Sequence, residues 1–434
     1  MRIVFFVSFF LLLCAVVQMA PVATINGLSA AGGPATQLWH AASCSKTDVQ
    51  NAINSAVDGD RVLIPAGTCT WTSRLTVSGK GITIAGAGVG QTTIVNGVNG
   101  TALQFNFTPG DPTTYVEGVT FDANNGTNDD AMITLNGGGL NQFRVHHISM
   151  TNLRERGIEV NMDGREVSGL IDHCTMNMPL VNGSSKSISI SGTGPEESQP
   201  FSRPLALGSD KFIFVEDCTF NYGGRNDGAM DAYGGARYVF RYNTVINTNV
   251  EHHGADSGGF RGVHSFEIYN NTFRCTGSCG SQRKHYFRSG TGVIFNNTYT
   301  GNYTGAELTN YRSDESFPPW GKCDGTSPWD ENKPGQNGYA CLDQIGHVFG
   351  PTSGGANLLE PLYEWNNTDD GADVDLVVAT SHAHADEHIV QGRDFYNDTR
   401  RPGYTPYRYP HPLQGGGTSP PSAPTNITVT VTVQ

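Results

Sequence analysis

Charge is scarce in this chain, and positive charge is scarcer. Only 15% of the 434 residues are charged, with 27 Lys and Arg against 40 Asp and Glu, a formal net charge of −13. That balance argues against nucleic acid as a partner. It also works against a polyanionic ligand unless cations gather locally or a metal bridges the two charges. The cysteines show no CxxC pair, which disfavours a zinc site. The apolar run after Arg2, IVFFVSFFLLLCAVV, has 15 residues, short of the roughly 20 of a membrane helix. With Ala20 and Ala23 following, it reads as a secretory signal over residues 1–23. A secreted protein, free of the membrane after cleavage, is expected.

What is abundant is glycine, 54 residues, which suits a turn-rich β protein better than a helical one. In an oxidising setting the cysteines beyond Cys14 are candidates for disulfides: Cys275 with Cys279 in a tight loop, Cys44 with Cys69, and Cys323 with Cys341.

Seven fragments align: VEGVTFD, VHHISMT, IDHCTMN, VEDCTFN, FRYNTVI, IYNNTFR and IFNNTYT. Their central Ser or Thr falls at Thr120, Ser149, Thr175, Thr219, Thr244, Thr272 and Thr298, spaced 29, 26, 44, 25, 28 and 26 apart. A period in the mid-twenties with one insertion is that of a solenoid, and alternate apolar residues make each unit β. Stacked coils lie roughly 4.8 Å apart. Asn243, Asn271 and Asn297 would therefore form a hydrogen-bonded ladder, with Cys174 and Cys218 in the same column. SKTDVQNAINSAV, with Val49, Ile53, Ala56 and Val57 at helical spacing, predicts a capping helix at the N-terminal end. The expected fold is all-β, a right-handed single-stranded parallel β-helix over 24–413 with irregular last coils. Residues 414–434 read as a Gly/Ser/Pro linker.

The second strands of successive coils put polar groups on one flank: Asp227 and Asp231; then Glu251, His252, His253 and Asp256, with Arg261 nearby; then Arg283, Lys284, His285 and Arg288. This order resembles the pectate lyases over residues 203–300. VEDCTFNYGGRNDGAMDAYGGARYVFRYN is similar to that family's run from a WIDH-type strand to DGLLD. RKHYFRSGTGVIFNN is similar to its RxPxxR followed by Gly and Asn-Asn. The resemblance implies that Arg283 is the base, Arg288 pairs with a substrate carboxylate, and Asp227 and Asp231 bind Ca²⁺. It also sets His252 near the place of a substrate-binding lysine. The chain departs from the pattern at His285, which replaces the motif proline, at Val215-Glu216-Asp217, and at RPLALGS, where the family supplies further Ca²⁺ ligands.

The implied reaction is β-elimination on an acidic, uronic-acid polysaccharide by a monomeric secreted lyase. Removing a proton beside a carboxylate demands cations to neutralise that carboxylate. An arginine base needs crowding by other cations such as Lys284 and Arg288, whereas His252 or His253 is an easier base at neutral pH. Two other readings stay open. One is a glycoside hydrolase pairing Asp227 with Asp231 or Asp256. The other is a non-catalytic glycan-binding or adhesive β-helix. His382, His384 and His388, with Asp386 and Glu387, have metal-ligand residue types but read as an exposed loop. Trp320 and Trp329 are either sugar-stacking platforms or the core of a lid tied by Cys323 and Cys341.

Overall fold

The computed structural model describes residues 37–98, 100–125, 131–162, 165–179, 186–192, 204–223, 228–256, 259–277, 279, 282–331, 340–348 and 358–415. The expected signal segment, the chain beyond 415 and Asp227 lie outside these residues. The chain is a right-handed parallel β-helix of three long sheets, with 12, 10 and 11 strands. In one coil Arg237–Arg241 belongs to the first sheet, Thr244–Ile246 to the second and Val250–His252 to the third. The next coil repeats this with Ser265–Tyr269, Thr272–Arg274 and Arg283–Phe287. Registers hold residue on residue: Thr219 pairs with Thr244, Thr244 with Thr272 and Thr272 with Thr298.

Between the first and second sheets the chain turns on a single residue of left-handed backbone. Asn270, Asn296 and Asn366 occupy it with φ of 57°, 54° and 56°, as suits a short polar side chain that tolerates this region. The ladder stands on the next residue. Asn243 Nδ2 donates to Asn271 Oδ1 at 3.1 Å, Asn271 to Asn297 at 2.9 Å, and Asn297 to Asn367 at 2.8 Å. Asn367 is a fourth rung that the repeat alignment does not reach. Cys174 and Cys218 continue the column as buried free thiols, and Cys44–Cys69, Cys275–Cys279 and Cys323–Cys341 form disulfides.

The helix Lys46–Ser55 caps the N-terminal end. Ser45 accepts from the Asp48 amide at its start, and Val49, Ala52 and Ile53 are buried beneath it. Val57 departs from expectation. The helix ends before it, and it is 62% exposed.

From Phe143–His146 to Thr291–Phe295 every strand of the first sheet is buried on both faces, charged residues such as Arg144, Glu216 and Arg241 included. Its outer face carries a stack of rings, Tyr269 on Phe295 at 4.6 Å and Phe295 on Trp365 at 4.4 Å. Residues 404–414 cross this face as a strap. Tyr404 donates to Glu267 at 2.5 Å, and Arg241, fully buried, donates to the carbonyls of Tyr407 and Arg408 at 2.7 and 2.9 Å. Burial lifts the Glu267 carboxyl to about 7, against the lowering effect of hydrogen bonds from the Gly208 amide and Tyr404.

A neutral folded-state carboxyl has a definite sign. The unfolded chain ionises Glu267 from its ordinary 4.5, whereas the folded chain resists until about 7. Stability should therefore fall as pH rises through that window and level off above it, by about 3 kcal/mol. Glu267→Gln is expected to reduce this slope between pH 5 and 7 in denaturant melts, the remainder coming from the Glu364 carboxyl, which burial also lifts to about 7. An unchanged slope would mean that other groups carry it.

Candidate active site

The third sheet positions the polar flank. Met230, Val250, His285 and Ala306 pair in one row, while Ser189 with Asp231, and Glu251 with Tyr286 and then Glu307, form the neighbouring row. Alternation sends the first row into the core and the second outward. It also sends His252 and Phe287 inward. His252 is accordingly fully buried, stacked on Phe287 at 4.3 Å with Tyr238 Oη 3.1 Å from its Nδ1, and burial holds its imidazole well below the usual range. As a substrate-contacting base it is corrected. His285 has the same fate, hydrogen-bonded to Tyr299 and pushed down to about 3 by burial.

His253 is the histidine that reaches the surface. Its side chain is 21% exposed, and its Nδ1 lies 2.7 Å from Asp231 Oδ1. Lys186 Nζ takes the other oxygen at 2.5 Å. Asp231 is fully buried. Burial alone would raise its pKa, but the adjacent His253 and Lys186 outweigh that and hold the carboxyl well below the usual range. Asp231 thus fixes the His253 ring through Nδ1 and leaves Nε2 for chemistry. Ser289 Oγ donates to the His253 carbonyl at 2.6 Å and fixes the backbone.

Arg288 follows His253 on the next rung. Its Nη1 sits 3.1 Å from buried Asp256, its Nε donates to the His252 carbonyl at 3.4 Å, and its guanidinium lies 4.6 Å over the Tyr311 ring. On the rung before, Tyr233 meets His253 edge-on at 5.9 Å, and burial pushes its hydroxyl pKa up. Tyr233, His253 and Arg288 thus occupy three successive rungs, each roughly 4.8 Å from the next. Tyr311 walls one side, taking a hydrogen bond from Tyr286 Oη at 3.1 Å and stacking on His382 at 4.0 Å.

The rest of the cationic stretch does not converge here. Arg283 pairs with Glu307 and lies 4.0 Å over the Tyr286 ring. Lys284 runs to Asp369, 2.8 Å away on the second sheet, and Arg261 is buried in a bidentate pair with Asp343 at 2.7 and 2.6 Å. Arg261 and Lys284 are therefore corrected from substrate contacts to structural ion pairs. Asp231 does not suit Ca²⁺ either. A dication wants six to eight oxygens, and both Asp231 oxygens already serve Lys186 and His253.

Trp320 is buried, donates to the Phe260 carbonyl at 3.0 Å and meets Trp329 edge-on at 4.9 Å. The pair is the core of the lid tied by Cys323–Cys341. The three histidines of SHAHADEH disperse: His382 lies on Asp314 and Tyr311, His384 on Glu387, and His388 is buried. Lys186 escaped the sequence reading because its coil carries the long insertion: Thr175–Met178 stacks directly on Thr219–Tyr222, and the third-sheet strand Lys186–Ser191 lies within the 44-residue spacing between Thr175 and Thr219. A lone lysine opening a KSISIS strand was the available signal.

No family model and no curated protein matches the chain. Among solved structures it is similar to ORF18 of Geobacillus virus E2, at 17% identity and TM-score 0.41 over 61% of this chain and 51% of that one. It is also similar to an alginate lyase from Paenibacillus sp. str. FPU-7, at 12% and 0.38 over 81% and 99%. A third is the catalytic domain of a GH87 alpha-1,3-glucanase, at 12% and 0.38 over 89% and 70%. The chain spans about half the length of the viral protein. At such identities the likeness is one of fold.

Lys186→Met would leave Asp231 charged, buried and half-paired. A loss of about 3–5 kcal/mol is expected in denaturant melts, with much of it restored in Lys186→Met/Asp231→Asn. Equal losses in the single and double variants would show that the uncompensated charge on Asp231 is not what costs stability.

Proposed function

We propose that this protein is a secreted polysaccharide lyase acting on an acidic, uronic-acid glycan, with His253 as the base. The observation that carries the reading is the buried Lys186–Asp231 pair holding the partly exposed His253 one rung from Arg288. His253 Nε2 takes the proton from the carbon beside the uronate carboxylate. The electron pair forms the new double bond, and the glycosidic oxygen leaves, taking a proton in turn. Arg288 meets the carboxylate and stabilises the charge that develops there. Tyr233, on the other side of His253, offers an O–H to the leaving oxygen.

The hydrolase reading is less favoured. A glycosidase needs a carboxyl kept protonated near neutral pH. Among the described residues the carboxyls with raised pKa are Glu216, Glu267, Asp330 and Glu364. The three glutamates lie on first-sheet strands and Asp330 pairs with Arg312, so none belongs to this flank. With Asp231 committed to Lys186, the elimination is assigned to side chains rather than to Ca²⁺. Three disulfides and the apolar N-terminal run support export.

The test follows ultraviolet absorbance of unsaturated products on a panel of uronic-acid polysaccharides, with and without chelator. Activity should persist in chelator and fall about 10²- to 10⁴-fold in His253→Ala. Loss in Arg283→Ala with His253→Ala intact would restore the assignment implied by the pectate lyase resemblance. New reducing ends without absorbance would indicate hydrolysis, and binding with neither would indicate an adhesive β-helix.

A further inference from the structure

The corner between the first and second sheets carries a second polar constellation, away from the third-sheet flank. In two successive coils its left-handed residue is histidine, His147 with φ of 48° and His173 with φ of 53°. Stacking in register sets their rings face to face, 4.8 Å between centroids and 5° from parallel. Each ring has its Nδ1 committed. His173 Nδ1 lies 2.8 Å from Oδ2 of fully buried Asp172, which Arg144 grips through two hydrogen bonds of 2.8 Å. His147 Nδ1 lies 2.8 Å from Nδ1 of buried His146, whose Nε2 is 2.9 Å from Glu117.

These contacts bias the tautomers. The Glu117 carboxylate 2.9 Å from His146 Nε2 favours a proton on that nitrogen, which leaves His146 Nδ1 to accept the Nδ1–H of His147. His173 likewise donates from Nδ1 to Asp172. Both rings of the stacked pair then present a bare Nε2 lone pair. A carboxylate behind an imidazole, directly or through a second ring, is the arrangement that orients histidine ligands and raises their basicity.

We propose that His147 and His173 form a bis-imidazole site for a first-row transition ion of the imidazole-preferring class, such as Zn²⁺ or Ni²⁺, with water completing its shell. An ion about 2.0–2.1 Å from each nitrogen sets the nitrogens about 3.3 Å apart. In the parallel stack the two lone pairs do not converge, so binding requires His173, whose side chain is 42% exposed, to turn out of the stack toward the ion. Asp217, next in the column, is held by Tyr409 Oη at 2.7 Å and Gln414 Nε2 at 3.0 Å, so it contributes field rather than a bond. The site is independent of the proposed catalysis.

Calorimetric titration of the tag-free protein with Zn²⁺ tests it. Asparagine is the substitution of choice, because the same corner already carries it at Asn270, Asn296 and Asn366. One-to-one binding is expected in the wild type, weakened at least tenfold in His147→Asn and in His173→Asn and unchanged in His382→Asn. Circular dichroism melts of each variant confirm folding, and Zn²⁺ should raise the wild-type Tm alone among those of the wild type and the two corner variants. No binding, or binding that survives both corner variants, overturns the proposal. Loss in His382→Asn instead would move the site to the exposed histidine segment and overturn it equally.

Discussion

Everything in this molecule hangs on coils that meet in register at one corner. There a left-handed residue turns the chain, and the next residue's side chain must satisfy amides that the turn leaves without strand partners. In the asparagine rungs one Oδ1 accepts both the main-chain and the side-chain N–H of the preceding rung, as Asn271 does for Asn243 at 2.9 and 3.1 Å. Nδ2 also donates back to a carbonyl, Val215 in the case of Asn243, at 2.9 Å. A buried polar group left without such partners costs about 1–3 kcal/mol, so a slip of one residue would be felt at every rung. Register in turn fixes which side chains share a flank, and so assembles Tyr233, His253 and Arg288 from three separate coils.

The flank shows how an acidic protein manages local positive charge. Lys186, Arg283, Lys284 and Arg288 each face a carboxylate, at Asp231, Glu307, Asp369 and Asp256. The cations are compensated in place, Arg288 included, although its side chain keeps 11% exposure. Pairing makes them geometric tools, and the low-dielectric setting around Asp231 is what gives its hold on His253 weight.

The fold was legible because a solenoid writes its structure periodically. The Thr column, the Asn ladder and the capping helix follow from spacing and residue type, while the three disulfide pairings were only candidates until the structure showed them. The site was legible in part. His253, Asp231, Asp256 and Arg288 lie on the expected flank, but whether His252 or His253 faced out depended on strand parity, which two adjacent histidines leave ambiguous. Arg261 and Lys284 failed for another reason: their partners, Asp343 and Asp369, come from far along the chain, and no local pattern announces them. Lys186 lay in the third-sheet strand of the one coil whose insertion breaks the period.

The strap over the first sheet changes the character of the whole molecule. A stack of coils touching only their neighbours unfolds piecewise, each coil free to fray on its own. Here Leu413 accepts from Arg144, and Tyr404 packs beside Trp365 near the far end of the same sheet. Peeling any intermediate coil therefore also strips contacts from coils it never touches. A one-dimensional stack is bound into a single cooperative body.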